Sequence, residues 1–309
     1  ESPLVIVNGI LIDGTVCSGE VTIPDGVTSI GDYAFSGCSR MTSINIPKSV
    51  TSIGNGAFRH CSGLTSITIP EGVKSIGAFA FFECAGLTSI TIPKSVTSIG
   101  SNVFHDCTAL TEVLLEGGSK LTSENLGVNE SIIRTRWNED NLTWTLTADG
   151  TMTISGSGAM KDYSYDSPAC DNSNIKKVVI EEDVTSIGDS AFSDCRSLTD
   201  ITIPGSVTSI GNFAFYNCTG LTSISIPKSV TSIGTYTFSG CGNLTEITVP
   251  CDSTLTKDAF EDASEKVKYR HSLVKTDAKD ATYTEAGNVE YWTCENCKKH
   301  FLSDETDAE

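Results

Sequence analysis

The chain has 309 residues, and its 39 acidic side chains outnumber its 21 basic ones to give a formal net charge of −18. So acidic a surface repels a long polyanion, which excludes nucleic acid as a natural partner. No apolar run reaches the roughly 18 residues that a membrane-spanning helix needs, so the sequence predicts no transmembrane segment.

Residues 1–18 precede the first complete repeat and predict a cap. Apolar side chains alternate around Asn8-Gly9 at Val5, Val7, Ile10 and Ile12. Asn-Gly is the turn pair favoured in two-residue hairpins. A hairpin here would cover the open end of a stack of repeats, as terminal repeats usually must.

A 23-residue phrase then recurs, most clearly as LTSITIPKSVTSIGSNVFHDCTA from Leu87 to Ala109. Cysteines mark its period at Cys38, Cys61, Cys84 and Cys107, and again at Cys195, Cys218 and Cys241. Self-similarity at a fixed period of about 20 to 50 residues is typical of stacked repeats. The sequence therefore predicts a solenoid in which each repeat is stable only against its neighbours.

Each repeat opens on a predicted strand whose side chains alternate between two faces. The apolar Ile90 and Ile92 point inward, so Ser89 and Thr91 point outward from the sheet. The same rule gives the candidate binding residues of the sheet face, which are Ser43, Asn45, Ser66, Thr68, Ser89, Thr91 and Glu112 in the first block, and Asp200, Thr202, Ser223, Ser225, Glu246 and Thr248 in the second. Most are small and polar, a composition that exposed strands adopt without any ligand.

Aromatic residues fall instead on turns near the predicted edge of the solenoid. They are Tyr33, Phe79, Phe82, Phe213, Tyr216 and Tyr236. Tyr, Trp and Arg dominate the binding energy of protein interfaces, and the sheet face offers none of them. We therefore expect a tightly bound partner to contact this edge.

The cysteines of the repeats are not expected to form disulfides. Stacked strands set equivalent residues about 4.8 Å apart with parallel side chains, whereas a disulfide needs Cβ atoms about 3.8 Å apart that point together. Buried, reduced thiols that act as small apolar fillers fit better, and Cys17 is expected to extend this ladder. Cys170 and Cys251 lie outside the 23-residue register of the ladder, and a disulfide between them remains an alternative.

The repeats closely resemble the BspA-type leucine-rich repeats of bacterial surface and secreted proteins, through the pattern IP-x-x-VTSIG-x-x-AF-x-x-C-x-x-LTSI. The resemblance covers about Gly19 to Leu115 and Ile175 to Val249. It implies an α/β-type but β-rich repeat solenoid outside the bacterial cell. It also implies adhesion or protein binding without catalysis, with an extracellular protein or glycan as the partner. The alternative is a structural stalk or spacer within a larger surface protein.

The repeat pattern decays twice, and these decays divide the chain. We assign residues 1–128 to a first leucine-rich-repeat block with the hairpin cap, 129–262 to a tandem second block with its own cap, and 263–309 to a small cysteine-containing module. In the second cap, apolar residues alternate around Asp149-Gly150 at Leu142, Trp144, Met152 and Ile154, which is a hairpin signal.

The last segment holds the close pair Cys294 and Cys297, and it resembles a small module often found beside such repeats in Gram-positive surface proteins. A structural zinc ion takes four ligands in a tetrahedron. Cys294, Cys297 and His271, with His300 as a further candidate, would supply them. A disulfide and free thiols remain open as alternatives.

Overall fold

The computed structural model describes residues 4–117, 121–164, 166–169, 172–279 and 288–301. The chain forms two compact units, Glu1–Asn138 with Thr145–Asp149, and Glu139–Trp144 with Gly150–Glu309. Each unit stacks short, mostly parallel strands that are joined by tight turns, so the predicted β-rich repeat solenoid is confirmed. The block boundaries given above stay predictions.

The first unit is built from strands of two to seven residues. They are β1 (Val5–Val7), β2 (Ile10–Asp13), β3 (Gly19–Thr22), β4 (Ser29–Ile30), β5 (Met41–Asn45), β6 (Ser52–Ile53), β7 (Ser66–Ile67), β8 (Ser75–Ile76), β9 (Ser89–Ile92), β10 (Ser98–Ile99), β11 (Glu112–Glu116) and β12 (Ile133–Glu139). A short helix α1 (Ser123–Leu126) and a 3₁₀ turn (Glu130–Ile132) lie between β11 and β12.

Equivalent strands of successive repeats pair in this unit. The second strands of the repeats form one parallel sheet in the order β2, β4, β6, β8, β10, and Ser52 lies between Ser29 and Ser75 in the register. The first strands pair as β3, β5 and β7, and as β9, β11 and β12. Because each partner comes from a neighbouring repeat, identical side chains stack along the unit.

The predicted N-terminal hairpin is present, but its buried face is the one opposite the four apolar residues that the alternation singled out. Strands β1 and β2 pair antiparallel, and β2 pairs in parallel with β4. Leu11 is fully buried and Ile6 is half-buried. The four apolar residues that the alternation singled out, Val5, Val7, Ile10 and Ile12, are 41–49% exposed. The predicted alternation was therefore correct, and the pairing of β2 with β4 sets which of its two faces is buried.

Two ladders of identical side chains fill the interior. The rings of Phe35, Phe58, Phe81 and Phe104 stack with centroids 5.1–5.3 Å apart and planes within 13° of each other. Each ladder thiol donates to a backbone carbonyl of the preceding turn, as Cys84 does to Phe58 at 3.1 Å. The ladder thiols are therefore hydrogen-bond donors rather than apolar fillers alone.

The second unit repeats this plan. Its strands are β13 (Leu142–Thr147, shared with the first unit), β14 (Thr151–Gly156), β15 (Gly158–Ala159), β16 (Lys177–Ile180), β17 (Val184–Ile187), β18 (Asp200–Thr202), β19 (Ser209–Ile210), β20 (Ser223–Ser225), β21 (Ser232–Ile233), β22 (Glu246–Pro250), β23 (Val267–Arg270), β24 (Leu273–Thr276), β25 (Tyr291–Cys294) and β26 (His300–Phe301). A 3₁₀ segment (Lys257–Lys266) precedes β23 and is interrupted at Glu261, whose φ is +46°.

Parallel pairing again joins equivalent strands. One set is β14, β16 and β18, a second is β15, β17, β19 and β21, and a third is β20, β22 and β23. The last strands, β24, β25 and β26, form a separate antiparallel sheet. Leu142, Trp144, Met152 and Ile154 are all buried, as their alternation predicted.

No helix in the described parts of the chain has both the length and the apolar character needed to cross a membrane.

Candidate functional site

The sheet face of the first unit is a shallow groove of about 1040 Å³. Its lining includes all the sheet-face residues predicted there except Glu112, namely Ser43, Asn45, Ser66, Thr68, Ser89 and Thr91. Glu112 is half-buried and pairs with Arg134 at 2.9 Å. The groove presents hydroxyl and amide groups together with the charged side chains of Glu20, Asp25, Lys48, Glu71 and Glu116, and its lining has no aromatic ring.

The sheet face of the second unit differs at its last strand. Asp200, Thr202, Ser223 and Ser225 are exposed. Asp200 pairs with Lys177 at 3.0 Å.

The prediction that Thr248 is exposed was wrong, because it is only 8% exposed. Strand β22, on which it lies, is flanked by β20 and β23. The Thr248 hydroxyl donates to the carboxylate of Glu246 at 3.0 Å, and Glu246 also pairs with Lys268 at 3.3 Å.

The edge aromatics occupy a backbone position that disfavours them. Tyr33, Phe79, Phe213 and Tyr236 each lie two residues before a ladder phenylalanine, and we call these four the outer aromatic row. Their φ angles are +58°, +56°, +54° and +54°. Left-handed backbone is uncommon for any residue other than glycine, and bulky side chains are outliers there. Gly56, Asn102 and Ser190 fill the same position in other turns, also at positive φ.

Members of this row are also exposed. The exposed fraction is 54% for Tyr33, 39% for Phe79 and 53% for Tyr236. Phe213 is half-buried, because its ring stacks on Tyr236 at 5.2 Å and meets Tyr216 edge-on at 5.8 Å. Three of the predicted edge residues therefore form one aromatic cluster in the second unit.

A second cluster forms around Phe82 in the first unit. Phe79 meets its ring edge-on at 5.8 Å, His105 stacks on it at 5.7 Å, and the Arg59 guanidinium lies 4.9 Å from its centroid. His60 contacts the same ring and pairs with Glu83 at 2.9 Å. Sequence reasoning had left Arg59 and the histidines out of the site. Arg59, Phe82 and His105 each directly follow a ladder phenylalanine, so their equivalent positions in successive repeats were the available signal.

The predicted ligands of the last segment meet in one place. Cys294 ends β25, Cys297 lies in the turn before β26, and His271 follows β23. Cys251, which directly follows β22, joins them, and the four candidate ligand atoms lie within 4.8 Å of one another. We call Cys251, His271, Cys294 and Cys297 the cysteine-histidine cluster.

His300 does not take part in this cluster. Its Nδ1 lies 2.9 Å from the Thr293 hydroxyl, and its ring meets Tyr291 edge-on. Cys251 had been considered only for a bridge to Cys170, a residue outside the described part of the chain. Since Cys251 is 43 residues from Cys294 in sequence, only the pairing of β22 with β23 brings it to the cluster.

Thiols of the cluster and of the ladder differ in acidity. Burial opposes ionisation of Cys294, but hydrogen bonds from the Cys297 amide and from His271 outweigh it and lower the pKa of Cys294 to about 6. Burial and hydrogen bonding to Cys294 raise the pKa of Cys251 to about 12. In the ladder, hydrogen bonding to Cys38 and burial raise the pKa of Cys61 far above its usual range. Cys61 therefore stays protonated and unreactive at neutral pH.

Sequence comparison identifies one family. The chain matches the family described as BspA type leucine rich repeat region, in six copies over residues 15–126 and 164–277. No curated protein sequence matches the chain.

Several solved structures are similar. A leucine rich cell surface protein of Faecalibacterium prausnitzii A2-165 is 25% identical over 85% of this chain and 90% of its own, with a TM-score of 0.33. A leucine-rich repeat protein of Bacteroides ovatus is 22% identical over 84% and 85%, with a TM-score of 0.31. One of Bacteroides capillosus is 30% identical over 38% of this chain and 100% of its own, with a TM-score of 0.32. At these TM-scores the likeness carries no argument about function.

Proposed function

Because the chain belongs to the BspA-type leucine-rich repeat family, we propose that it is a non-catalytic binding module that acts at the bacterial cell surface or as a secreted protein. Repeats of this family suggest a protein-interaction or structural role. The partner we propose is a surface protein or glycan that contacts the outer aromatic row.

The observation that supports a binding role is the conflict between side chain and backbone in that row. An L-residue in left-handed backbone costs about 1–2 kcal/mol relative to the right-handed helical region. Tyr33 and Tyr236 accept this cost while remaining more than half exposed. Gly56 and Asn102 show that the turn closes without an aromatic residue. Strained residues of this kind cluster at functional sites, which gives the row a role outside folding.

The chemistry of the row is that of a binding hot spot. Aromatic rings supply a large contact area at a small cost in conformational entropy, and tyrosine and arginine are enriched among residues that dominate interfaces. Next to Phe79 of the row, the Arg59 guanidinium adds a cation 4.9 Å from the centroid of the Phe82 ring. The grooved sheet face offers small polar groups instead, which suit weak contacts.

The experiment is a glycan and matrix-protein array probed with the intact chain, followed by affinity measurement for each hit. We expect a saturable partner whose affinity falls at least tenfold, or about 1.4 kcal/mol, in Tyr236→Asn and in Phe79→Asn. Asparagine keeps the turn, because Asn102 occupies the same position at φ +54°. The matched controls are Thr91→Ala and Thr202→Ala on the sheet face, which should bind like the parent chain.

The outcome of these variants separates the candidate functions. If the sheet-face variants lose affinity while the asparagine variants keep it, the outer aromatic row is not the binding surface. If no saturable partner appears, the structural stalk or spacer becomes the better function. The hydroxyl-lined sheet face is the observation that favours a stalk, since it needs no ligand to account for it.

A further inference from the structure

The cysteine-histidine cluster has the donor set of a closed metal site. Structural zinc is bound by four cysteine or histidine ligands in a tetrahedron, with Zn–S near 2.3 Å and Zn–N near 2.0 Å. Those bond lengths place neighbouring ligand atoms roughly 3.5 to 3.8 Å apart. In the cluster, the Cys251 and Cys294 sulfurs are 3.4 Å apart, and the Cys297 sulfur is 3.4 Å from His271 Nδ1.

Backbone hydrogen bonds aim the four side chains at one point. The Cys251 amide donates to the Arg270 carbonyl at 3.0 Å, which sets Cys251 beside His271. In the other half, the Cys294 amide donates to Lys299 and the Lys298 amide donates to Cys294, both at 2.9 Å. Lys298 closes this turn with φ +62°. The turn places both sulfurs of the C-x-x-C pair on the same side.

Two of the four cluster members are buried and the other two, Cys251 and Cys297, are half-buried, which separates the cluster from an accidental surface grouping. Cys294 is 0% exposed and His271 is 5% exposed. The His271 ring packs against Phe301 with centroids 4.6 Å apart, which limits its rotation. Nδ1 is therefore held toward the thiols, as a histidine ligand must be.

The chemistry of the cluster also favours a cation over a disulfide. Three thiols cannot all pair within the cluster, and a disulfide between two of them would leave the third and the imidazole without a role. Three neighbouring thiolates repel one another. A divalent cation removes this repulsion, because metal binding stabilises the deprotonated thiols.

We propose that Cys251, His271, Cys294 and Cys297 form a tetrahedral zinc site that fastens the C-terminal antiparallel sheet to the last strands of the repeats. Two ligands, Cys251 and His271, follow the parallel strands β22 and β23, and the other two come from β25 and its turn. The four positions are filled by protein, so the ion has a structural role. A small sheet such as β24–β26 buries little core of its own, and metal binding supplies folding free energy to such modules.

The test uses the full chain, purified without chelators. Zinc is measured by mass spectrometry of the metal content, and free thiols are counted by alkylation under denaturing conditions without reductant. We expect one zinc per chain and alkylation of all 12 cysteines. Cobalt(II) exchanged into the site should give the visible absorption of a tetrahedral thiolate complex.

Variants identify the ligands. Cys251→Ser and His271→Ala should each lower zinc affinity at least tenfold. Two controls should retain zinc: His300→Ala, which removes the histidine outside the cluster, and Cys107→Ser, which removes a ladder thiol. Limited proteolysis gives a second readout, since removal of zinc should expose the chain beyond residue 263 while the repeats stay resistant.

Three results would overturn the proposal. Ten alkylated cysteines without zinc would show a disulfide. Twelve alkylated cysteines with no metal, even after zinc is added under reducing conditions, would show free thiols. Zinc that is kept by Cys251→Ser but lost by His300→Ala would place the site on other ligands.

Discussion

Two aromatic positions of the same turn have opposite surroundings. Phe81 is fully buried and stacks between Phe58 and Phe104, whereas Phe79, two residues earlier, is 39% exposed at positive φ. Both positions recur with the period of the repeat. The inner ring is stabilised by full burial and by stacking. The outer ring is only partly buried, and its side chain is disfavoured by the left-handed backbone.

This difference shows what periodicity alone does and does not reveal. A recurring inner aromatic is accounted for by the core, because each ring covers the next. A recurring outer aromatic has no such account, and glycine or asparagine serves the same turn. Stability accounts for the first position, and the second is the one for which we propose a binding role.

The largest expected effect is at the inner position. Phe81→Ala removes a ring from the middle of the ladder and leaves a cavity between Phe58 and Phe104, so we expect a loss of about 3–5 kcal/mol. The shift in urea midpoint measures it. Phe79→Asn is the matched control and should change stability by no more than about 1 kcal/mol. Equal losses of stability in Phe81→Ala and Phe79→Asn would contradict the distinction between the inner and outer aromatic positions.

The ladder cysteine should give the next largest effect. Cys84→Ala removes a buried sulfur and its hydrogen bond to the Phe58 carbonyl, at a cost of about 1–3 kcal/mol in urea unfolding. Cys84→Ser is the control, because its hydroxyl keeps a donor at that position. We expect serine to be the more stable of the two variants. The opposite order would mean that the thiol is only an apolar filler, since serine would then bury an unused polar group.

The fold could be predicted because it is repeated at short range. Leu87, Phe104 and Cys107 each have a counterpart one repeat earlier, and one phrase of 23 residues contains the whole turn. Burial could not be predicted from the repeat where a strand pairs with a segment that is not an equivalent repeat. Thr248 lies on β22 where it pairs with β23 instead of a further repeat strand, and Leu11 lies on β2 where it pairs with β4.

The sequence pointed to three of the four members of the cysteine-histidine cluster, and Cys251 was missed for the same reason. Cys294 and Cys297 lie close in sequence, so their spacing suggests a shared ligand. Cys251 belongs to the end of the last repeat strand, and its approach to His271 depends on strand pairing. The positive φ of Tyr33 has only an indirect sequence signal, which is the Gly56 and Asn102 at the same position of other repeats.

The smallest expected effect is the most informative about the inner and outer positions, because it is a gain in stability. Tyr33→Asn should raise stability by up to about 1 kcal/mol, since asparagine tolerates left-handed backbone and the lost ring is 54% exposed. Tyr236→Asn should leave stability nearly unchanged, because relief of the same strain is offset by loss of the 5.2 Å stack on Phe213. Both are measured by urea unfolding. If Tyr33→Asn instead loses more than about 1 kcal/mol, the ring contributes to folding, and its exposed position no longer argues for a partner.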